Sequence, residues 1–242
     1  MKKAVILTGA GMSAESGIST FRDAGGLWDT YRVEDVATPE GYDRNPQLVI
    51  DFYNMQRRHL LEAQPNVGHR LVAALEEQYD VTVVTQNIDN LHERAGSNHV
   101  IHLHGELMKA TSSYNPNDAR CIVTLPVEDP DIHLGDHAAD GSQLRPFIVW
   151  FGESVPNIEP AVEACEEADI FIIIGTSLNV YPAAGLLHYV PRTADVYLID
   201  PKPVDTHSSR PVTVIQKGAS EGMRTLLSLL EEKEKWPSDL LS

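Results

Sequence analysis

Residues 4–18 read AVILTGAGMSAESGI, and this stretch decides the fold class that we predict for the chain. The apolar run AVIL followed by Thr8 is typical of a buried strand, which leads directly into a turn that contains Gly9 and Gly11. Glycines there let the backbone approach a phosphate closely, and the spacing Gly9-x-Gly11-x-x-Ala14 is the alanine form of the dinucleotide-binding fingerprint. Taken alone, the pattern leaves open a nucleotide site and a merely tight turn between a strand and a helix.

The sequence after this turn departs from an ordinary dinucleotide-binding fold. Such a fold supplies a second strand that ends in an acidic residue about 20 residues further on. Here residues 16–28 read SGISTFRDAGGLW, an irregular stretch with glycine hinges and aromatic residues. The missing acidic residue disfavours a dehydrogenase that transfers hydride.

The composition bounds the class of protein. The 242 residues, of which 42% are hydrophobic, suffice for one α/β domain or for one large and one small lobe. A formal charge of −16 works against nucleic-acid binding, because that affinity rests on Lys and Arg. The first strand begins by Ala4, which leaves no room for a signal peptide, and no apolar run approaches the length of a membrane span. We therefore expect a soluble cytoplasmic protein whose partners are neither nucleic acid nor membrane.

Several predicted strands end in polar or small residues, as expected for a parallel sheet that binds a ligand at its carboxyl edge. The motifs that follow these strands are Gln86-Asn87-Ile88-Asp89, His104-Gly105, Gly175-Thr176-Ser177 and Asp200. Asn and Asp also cap helices in ordinary turns, so each motif alone allows a purely structural role.

The segments between these strands predict two lobes. Helices that begin near Asn45-Pro46 and Pro65-Asn66 lie between the first two strands, where an ordinary unit has a single crossover. Residues 108–144 lose their periodicity and are rich in Asn, Asp, Pro, Gly and Ser. We predict a large lobe from about 1–25, 80–105 and 145–235, and a small lobe from insertions at about 26–79 and 108–144.

Seven motifs, taken in chain order, resemble the signature of the sirtuins, the NAD-dependent protein lysine deacylases. They are Gly9-Ala10-Gly11, Phe21-Arg22, Gln86-Asn87-Ile88-Asp89, His104-Gly105, Phe151-Gly152-Glu153, Gly175-Thr176-Ser177 and Tyr181-Pro182-Ala183-Ala184. The resemblance covers nearly the whole chain and implies one catalytic domain at 1–242. Its expected fold is a Rossmann-like, doubly wound parallel α/β sheet with a smaller lobe formed by insertions. Its expected cofactor is NAD, and its expected partners are acylated lysine side chains of proteins.

The resemblance also implies roles for individual residues. His104 is the expected general base, and Asn87 is the second expected catalytic residue. The residues expected to bind NAD are Gly9, Ala10, Gly11, Ser13, Glu15, Phe21, Arg22, Gln86, Asn87, Asp89, Gly175, Thr176, Ser177, Asp200 and Ala219. Those expected to bind the acylated peptide are Tyr53, Gln56, Arg57, Val149, Phe151, Gly152, Glu153, Val180 and Tyr181.

The implied chemistry suits these residue types. Nicotinamide leaves the ribose as the carbonyl oxygen of the acyl-lysine attacks, and a base then activates a ribose hydroxyl. A neutral imidazole, with an ordinary pKa of about 6.5, serves as that base near physiological pH. The implied products are free lysine, nicotinamide and O-acyl-ADP-ribose.

The chain departs from the family pattern in its small lobe. Sirtuins usually hold a zinc ion with two Cys-x-x-Cys pairs. The corresponding positions here carry Ser112, Asn115, His137 and Asp140. The two cysteines, Cys121 and Cys165, are too few for such a site and are predicted to be reduced thiols. The acidic, His-bearing run at 129–140 leaves a divalent ion as an alternative, and we predict no structural zinc.

A second departure concerns the acyl group. The segment FYNMQRR at 52–58 resembles that of a desuccinylating subgroup, in which a Tyr and an Arg three residues later bind a distal carboxylate. Tyr53 is present, but Gln56 stands in place of that Arg. A neutral Gln bonds a carboxylate more weakly than an Arg does, and Arg57 lies about 100° further round the helix. We expect removal of acetyl groups, with reduced activity on succinyl and malonyl groups through Tyr53 and Arg57.

Two alternatives would share the nucleotide site. A mono-ADP-ribosyltransferase or NAD glycohydrolase would cleave NAD without forming O-acyl-ADP-ribose. A non-catalytic sensor of NAD or of acyl-peptides would not need both His104 and Asn87, which disfavours it.

Overall fold

The apolar strand Ile170–Ile174 lies inside a parallel sheet and is buried along its whole length. The computed structural model describes residues 1–18, 30–206 and 208–235. In chain order its strands are β1 (Lys3–Thr8), β2 (Asp80–Thr85), β3 (Val100–His102), β4 (Gly105–Ser112), β5 (Val123–Thr124), β6 (Leu144–Ile148), β7 (Ile170–Ile174), β8 (Asp195–Ile199) and β9 (Thr213–Ile215). The large sheet has the strand order β3-β2-β1-β7-β8-β9. The predicted parallel sheet is confirmed.

The register of this sheet aligns the carboxyl ends of its central strands. Thr8 lies opposite Thr85 on one side and Ile174 on the other. The chain leaves all three strands at one level, because the Gln86 amide donates to the Thr8 carbonyl and the Gly9 amide to the Ile174 carbonyl. The motifs that follow β1, β2 and β7 therefore meet at a single edge, where parallel sheets bind ligands.

Helices cover both faces of the large sheet. In chain order the α-helices are α1 (Ala10–Ser13), α2 (Val33–Val36), α3 (Pro39–Arg44), α4 (Pro46–Glu62), α5 (Val67–Ala74), α6 (Leu91–Ala95), α7 (Ile158–Glu166) and α8 (Ala219–Lys235). Short 3₁₀ helices lie at Ala14–Ser16, Leu75–Glu77 and Ala183–His188. On one face Ile172 packs with Val72 and Met223, and on the other Ile173 packs with Cys165. Full burial of one such aliphatic side chain contributes roughly 1.5–3 kcal/mol, so packing of the two layers stabilises the sheet.

The position of helix α5 differs from the predicted boundary between the two lobes. The segment 26–79 was expected to belong entirely to the small lobe, but α5 packs against α8 on the large sheet. Contact is close enough that a Cβ added to Gly68 would lie 3.2 Å from the Ala219 Cβ. The periodicity of α5 predicts an amphipathic helix correctly, but it does not specify which lobe that helix covers.

The small lobe consists of α2, α3 and α4 packed on a second sheet of order β5-β4-β6. Its buried core includes Ile50, Phe52, Leu107, Ile132 and Trp150. Helix α4 begins where Asn45 accepts a hydrogen bond from the Leu48 amide, which satisfies one free donor of the first turn.

Within the described ranges, no helix combines the length and the apolar character that a membrane crossing requires.

Candidate active site

A cavity of about 590 Å³ opens between the two lobes at the carboxyl edge of the large sheet. This volume falls in the range of roughly 300–1,000 Å³ that is usual for sites that bind small molecules. The predicted site residues that line it are Ala10, Gly11, Glu15, Tyr53, Gln56, Gln86, Asn87, His104, Val149, Phe151, Gly152, Glu153, Gly175, Thr176, Ser177, Val180, Tyr181 and Asp200. Residues far apart in the chain are thus brought together in one cleft.

The other predicted site residues lie elsewhere. Gly9, Ser13, Asp89 and Ala219 stand behind the cavity lining, and Arg57 is turned into the small lobe. Phe21 and Arg22 lie outside the described residues.

The glycine turn after β1 packs directly on the turn after β7. A Cβ added to Gly11 would lie 2.7 Å from the Gly175 Cα, and one added to Gly9 would lie 2.7 Å from the Thr176 Cβ. Side chains at either position would push the two turns apart. Glycine at both positions is therefore required for the close packing of the two turns at the edge of the sheet.

Asn87 is held by every polar atom except its side-chain oxygen. Its Nδ2 donates to the Gly9 carbonyl at 3.0 Å and to the Ser13 Oγ at 3.1 Å, and its amide donates to the Thr85 Oγ1 at 3.0 Å. Since both side-chain hydrogens are used, Oδ1 is the atom that Asn87 can offer as an acceptor to a ligand. The residue is only 8% exposed, so its position is set by the protein.

Ser13 connects Asn87 to a buried carboxyl group. The Ser13 hydroxyl donates to the Asp89 Oδ2 at 2.8 Å, and burial raises the pKa of Asp89 although this bond opposes the rise. His69 accepts from the Asn66 amide at Nδ1, which leaves its Nε2 hydrogen facing the Ser13 Oγ at 3.4 Å. Burial lowers the pKa of His69 to about 4, so the ring is neutral. The sequence analysis did not single out His69, because helical periodicity alone makes it a packing residue.

His104 has the tautomer that a general base requires. Its Nδ1 lies 3.0 Å from the Gln86 carbonyl oxygen, which can only accept, so Nδ1 carries the hydrogen. Nε2 is then the nitrogen that can take a proton. Burial lowers the pKa of His104, with the Gln86 bond opposing, and the ring is neutral at physiological pH.

The glycine after His104 is required by packing. Gly105 has φ of +83°, and a Cβ there would lie 2.1 Å from the Phe147 carbonyl oxygen. No side chain fits between the start of β4 and β6, so the His-Gly pair fixes where His104 leaves the strand.

An apolar wall forms the small-lobe side of the cavity, and the sequence analysis missed most of it. Its members include Ala37, Phe52, Ile148 and Trp150. The Trp150 Nε1 donates to the Tyr53 hydroxyl at 3.2 Å, and burial raises the pKa of Tyr53. The Tyr53 hydroxyl is therefore neutral and already has one donor bound to it.

The position of Arg57 contradicts the prediction that this residue binds the substrate. Its side chain is fully buried, and it donates to the Leu107 carbonyl at 2.7 Å, the Asn54 Oδ1 at 2.7 Å and the Pro130 carbonyl at 2.9 Å. Burial lowers the pKa of Arg57 to about 10, which still leaves it charged at neutral pH. One residue of helical rotation sends Gln56 to the cavity and Arg57 into the core of the small lobe.

The turn at 150–153 is fixed by an ion pair. Arg145 donates to both carboxylate oxygens of Glu153, at 2.7 Å and 3.0 Å, and lies 3.4 Å from the centroid of the Trp150 ring. Glu153 also accepts from the Trp150 amide at 2.7 Å. Phe151 and Tyr181 line the cavity and are 46% and 69% exposed.

The cavity also extends over a segment that no motif indicated. Residues 201–204, including Lys202, line it directly after Asp200. Their signal in the sequence was positional, because they continue from the carboxyl end of a parallel strand.

The positions that correspond to the zinc ligands do not fit a zinc ion. The Ser112 Oγ donates to the Asp140 Oδ2 at 2.6 Å, and Asp140 also accepts from the Ser142 hydroxyl and amide. A hydroxyl is a poor zinc ligand compared with a thiolate, and both cysteines are buried elsewhere as free thiols. Throughout the described part of the chain, no three His, Cys, Asp or Glu side chains cluster in a way that could hold a metal.

Comparisons with known proteins identify a family and several solved structures that this chain resembles. The Sir2 family model matches residues 9–182. A protein of Bacteroides thetaiotaomicron named NAD-dependent protein deacylase is 68% identical over 230 residues, which cover 95% of this chain and 98% of that protein. A crystal structure of a Sir2 homologue with NAD superposes with a TM-score of 0.82 at 37% identity, covering 96% of this chain and 90% of that one. A Sir2 mutant with deacetylated p53 peptide and 3′-O-acetyl ADP-ribose superposes with a TM-score of 0.76 at 31% identity, covering 93% and 92%.

Proposed function

The chain belongs to the Sir2 family, and on this premise we propose that it is an NAD-dependent protein lysine deacylase. The 68% identical relative carries that name, and the share of both chains that aligns leaves no separate domain of the relative unmatched. One observation carries the proposal. A neutral His104 and an Asn87 whose Nδ2 is held by the protein line the same cavity.

The residues that would hold NAD fit it on structural grounds. Gly11 and Gly175 line the cavity with backbone alone, at the sheet edge where the fingerprint puts a pyrophosphate. Asp200 follows β8 at the same edge, placed like the acidic residue that accepts ribose hydroxyls in dinucleotide folds. When bound, NAD supplies the ribose carbon to which the acyl oxygen bonds and nicotinamide as the leaving group.

His104 would act as the base of this reaction. It accepts a proton at Nε2, while the Gln86 carbonyl stabilises the resulting imidazolium through the Nδ1 hydrogen. Asn87 would orient the ribose side of the cofactor through its Oδ1, since its Nδ2 hydrogens are occupied by Gly9 and Ser13.

The acylated peptide would bind as an added strand between residues 149–153 and 180–181. The exposed rims at Phe151 and Tyr181 and the fixed turn at Glu153 support this placement. Backbone hydrogen bonds would then supply most of the affinity, so that recognition depends weakly on peptide sequence.

The acyl group would enter the apolar wall beside Tyr53 and Gln56. With Arg57 bonded inside the small lobe, the described lining at this end offers a neutral hydroxyl and a neutral amide. We propose that acetyl is removed efficiently and that succinyl and malonyl are removed slowly. A cytoplasmic location also remains a proposal, supported by two cysteines that form no disulfide.

Mass spectrometry of one lysine peptide in acetyl, succinyl and malonyl forms tests the function. The wild type and His104→Ala are each incubated with and without NAD, beside His99→Ala, which replaces an exposed histidine of the same region. We expect acyl loss that needs both NAD and His104 and that His99→Ala leaves intact. Cleavage of NAD without loss of any acyl group would instead favour an ADP-ribosyltransferase or a glycohydrolase.

A further inference from the structure

The buried His102 and the partly exposed Glu93 form a pair behind the loop that carries Asn87. His102 ends β3, and its side chain is 6% exposed. Its Nε2 lies 2.7 Å from the Glu93 Oε1, and its Nδ1 lies 3.2 Å from the Asn87 carbonyl oxygen. Neither Glu93 nor His102 lines the cavity, so any effect on a ligand must pass through another residue.

The two partners of His102 determine its charge. A carbonyl oxygen and a carboxylate oxygen can only accept, so each ring nitrogen has to carry a hydrogen to bond its partner. A ring with two N–H groups is an imidazolium. In either neutral tautomer, one nitrogen lone pair would face an oxygen lone pair, of the Asn87 carbonyl or of the Glu93 carboxylate.

The surrounding charges favour the same protonation state. Burial alone would lower the pKa of His102, but the hydrogen bond and the charge of Glu93, together with Glu106, raise it. The same bond lowers the pKa of Glu93 against the effect of burial. The other ionisable groups that interact with this pair among the described residues are His69, Asp89, His92 and Lys109. His92 is neutral, because burial lowers its pKa well below the ordinary value.

His102 and His104 hold two consecutive peptide groups. His104 donates to the Gln86 carbonyl and His102 to the Asn87 carbonyl. The backbone of Asn87 is therefore bonded at both ends, by the Thr85 hydroxyl at its amide and by His102 at its carbonyl. These two bonds fix the backbone from which the Asn87 side chain extends, and the bonds from its Nδ2 to Gly9 and Ser13 hold the amide itself.

We propose that His102, as an imidazolium paired with Glu93, is a positioning residue that fixes Asn87 for deacylation. The inference rests on the proposed function, since it assigns a role within that reaction. A neutral His102 ring keeps one N–H, so loss of a proton would leave either the Asn87 carbonyl or Glu93 without its donor.

Steady-state deacylation of the acetylated peptide across pH tests the role. We expect His102→Gln to lower kcat at least tenfold with a smaller change in KM, whereas His99→Gln, at an exposed position three residues earlier, keeps the wild-type rate. The wild-type rate should fall at alkaline pH as His102 loses its proton. Glu93→Gln removes the group that raises the pKa of His102, so this fall should move to lower pH. A merely structural role would not move it.

Nitrogen-15 NMR of imidazole-labelled wild type at pH 7.5 tests the charge without a loss of folding. The His102 signals are assigned by their absence from the spectrum of His102→Gln. If that variant does not fold, they are assigned by their shift in Glu93→Gln, because the Glu93 side chain is 39% exposed and its replacement is tolerated more easily. Two protonated nitrogens are expected, and a neutral His102 ring would overturn the proposal. An active wild type with an equally active His102→Gln would also overturn it. A wild type without NAD-dependent deacylation would count against the proposed function instead, while the spectrum would still decide the charge.

Discussion

The Ser112 hydroxyl donates a hydrogen bond to the Asp140 carboxylate at 2.6 Å, and this contact joins the two small-lobe segments where sirtuins usually carry zinc. Asp140 also accepts from the Ser142 hydroxyl at 2.7 Å and from the Ser142 amide at 3.0 Å. A carboxylate with three donors thus links the end of β4 to the turn that precedes β6.

Asp140→Asn should lower the thermal midpoint of the small lobe. The hydrogen bonds from Ser112 and Ser142 lower the pKa of Asp140 from 3.8 to about 2. A lowered pKa means that the stabilisation is present above the ordinary pKa and is lost as pH falls from about 4 towards 2. Calorimetry of the wild type over this range should show a decline that Asp140→Asn lacks. Glu128→Gln, at an exposed acidic residue nearby, serves as the control.

Metal analysis of the purified wild type complements this test. We expect no stoichiometric zinc and no change of the thermal midpoint on addition of a chelator. Zinc at one equivalent per chain would contradict the conclusion that the hydrogen bonds of Asp140, and not a metal, join these two segments.

As pH is lowered, the rate of deacylation should begin to fall only below pH 6.5, the ordinary pKa of histidine. Burial lowers the pKa of His104, so the neutral base persists at pH 6.5 and is lost only at lower pH. His104→Ala should reduce kcat by about 10²–10⁴-fold, the usual contribution of a general base. NAD binding, measured by calorimetry in the same variant, should change much less. An acid limb above pH 6.5 would show that another group controls the rate.

Gln56→Arg should raise the ratio of succinyl to acetyl removal at least tenfold. Gln56 lines the cavity beside Tyr53, and an Arg there would pair a distal carboxylate with two hydrogen bonds. Gln47→Arg adds the same charge at an exposed position of the same helix and should leave the ratio unchanged. Competition between the two peptides, read by mass spectrometry, measures the ratio. Equal effects of the two variants would mean that net charge, and not the pocket, sets the preference.

Arg57→Leu should destabilise the small lobe strongly. The change leaves the buried Leu107 carbonyl and the partly buried Pro130 carbonyl without their donor, and a fully buried unsatisfied group costs about 1–3 kcal/mol. Arg58→Leu removes the exposed neighbouring arginine, which pairs with Asp131, and should have a much smaller effect. Urea unfolding measures both variants. If Arg57→Leu were as stable as the wild type and altered acyl preference, the arginine would belong to the substrate site after all.

Most of the site could be predicted from the sequence, because most of its polar and glycine residues directly follow the carboxyl ends of strands. A parallel sheet brings the carboxyl ends of β1, β2 and β7 to one edge, so Gly11, Asn87 and Gly175 meet without any knowledge of side-chain packing. The residues that escaped prediction act from behind this edge. His69 and His102 reach the site through Ser13 and Asn87, and no local pattern distinguishes them from packing residues.

The sequence by itself determined where the strands lie along the chain and where the glycine turns follow them, because both follow from local periodicity and residue type, and the resemblance to the sirtuins selected His104. The tertiary structure alone decided three further points. It sent Arg57 into the small lobe, placed α5 on the large sheet, and gave His102 two acceptors and hence a charge. These outcomes depend on which surfaces meet across long stretches of chain, and such contacts leave no signature in the neighbouring residues.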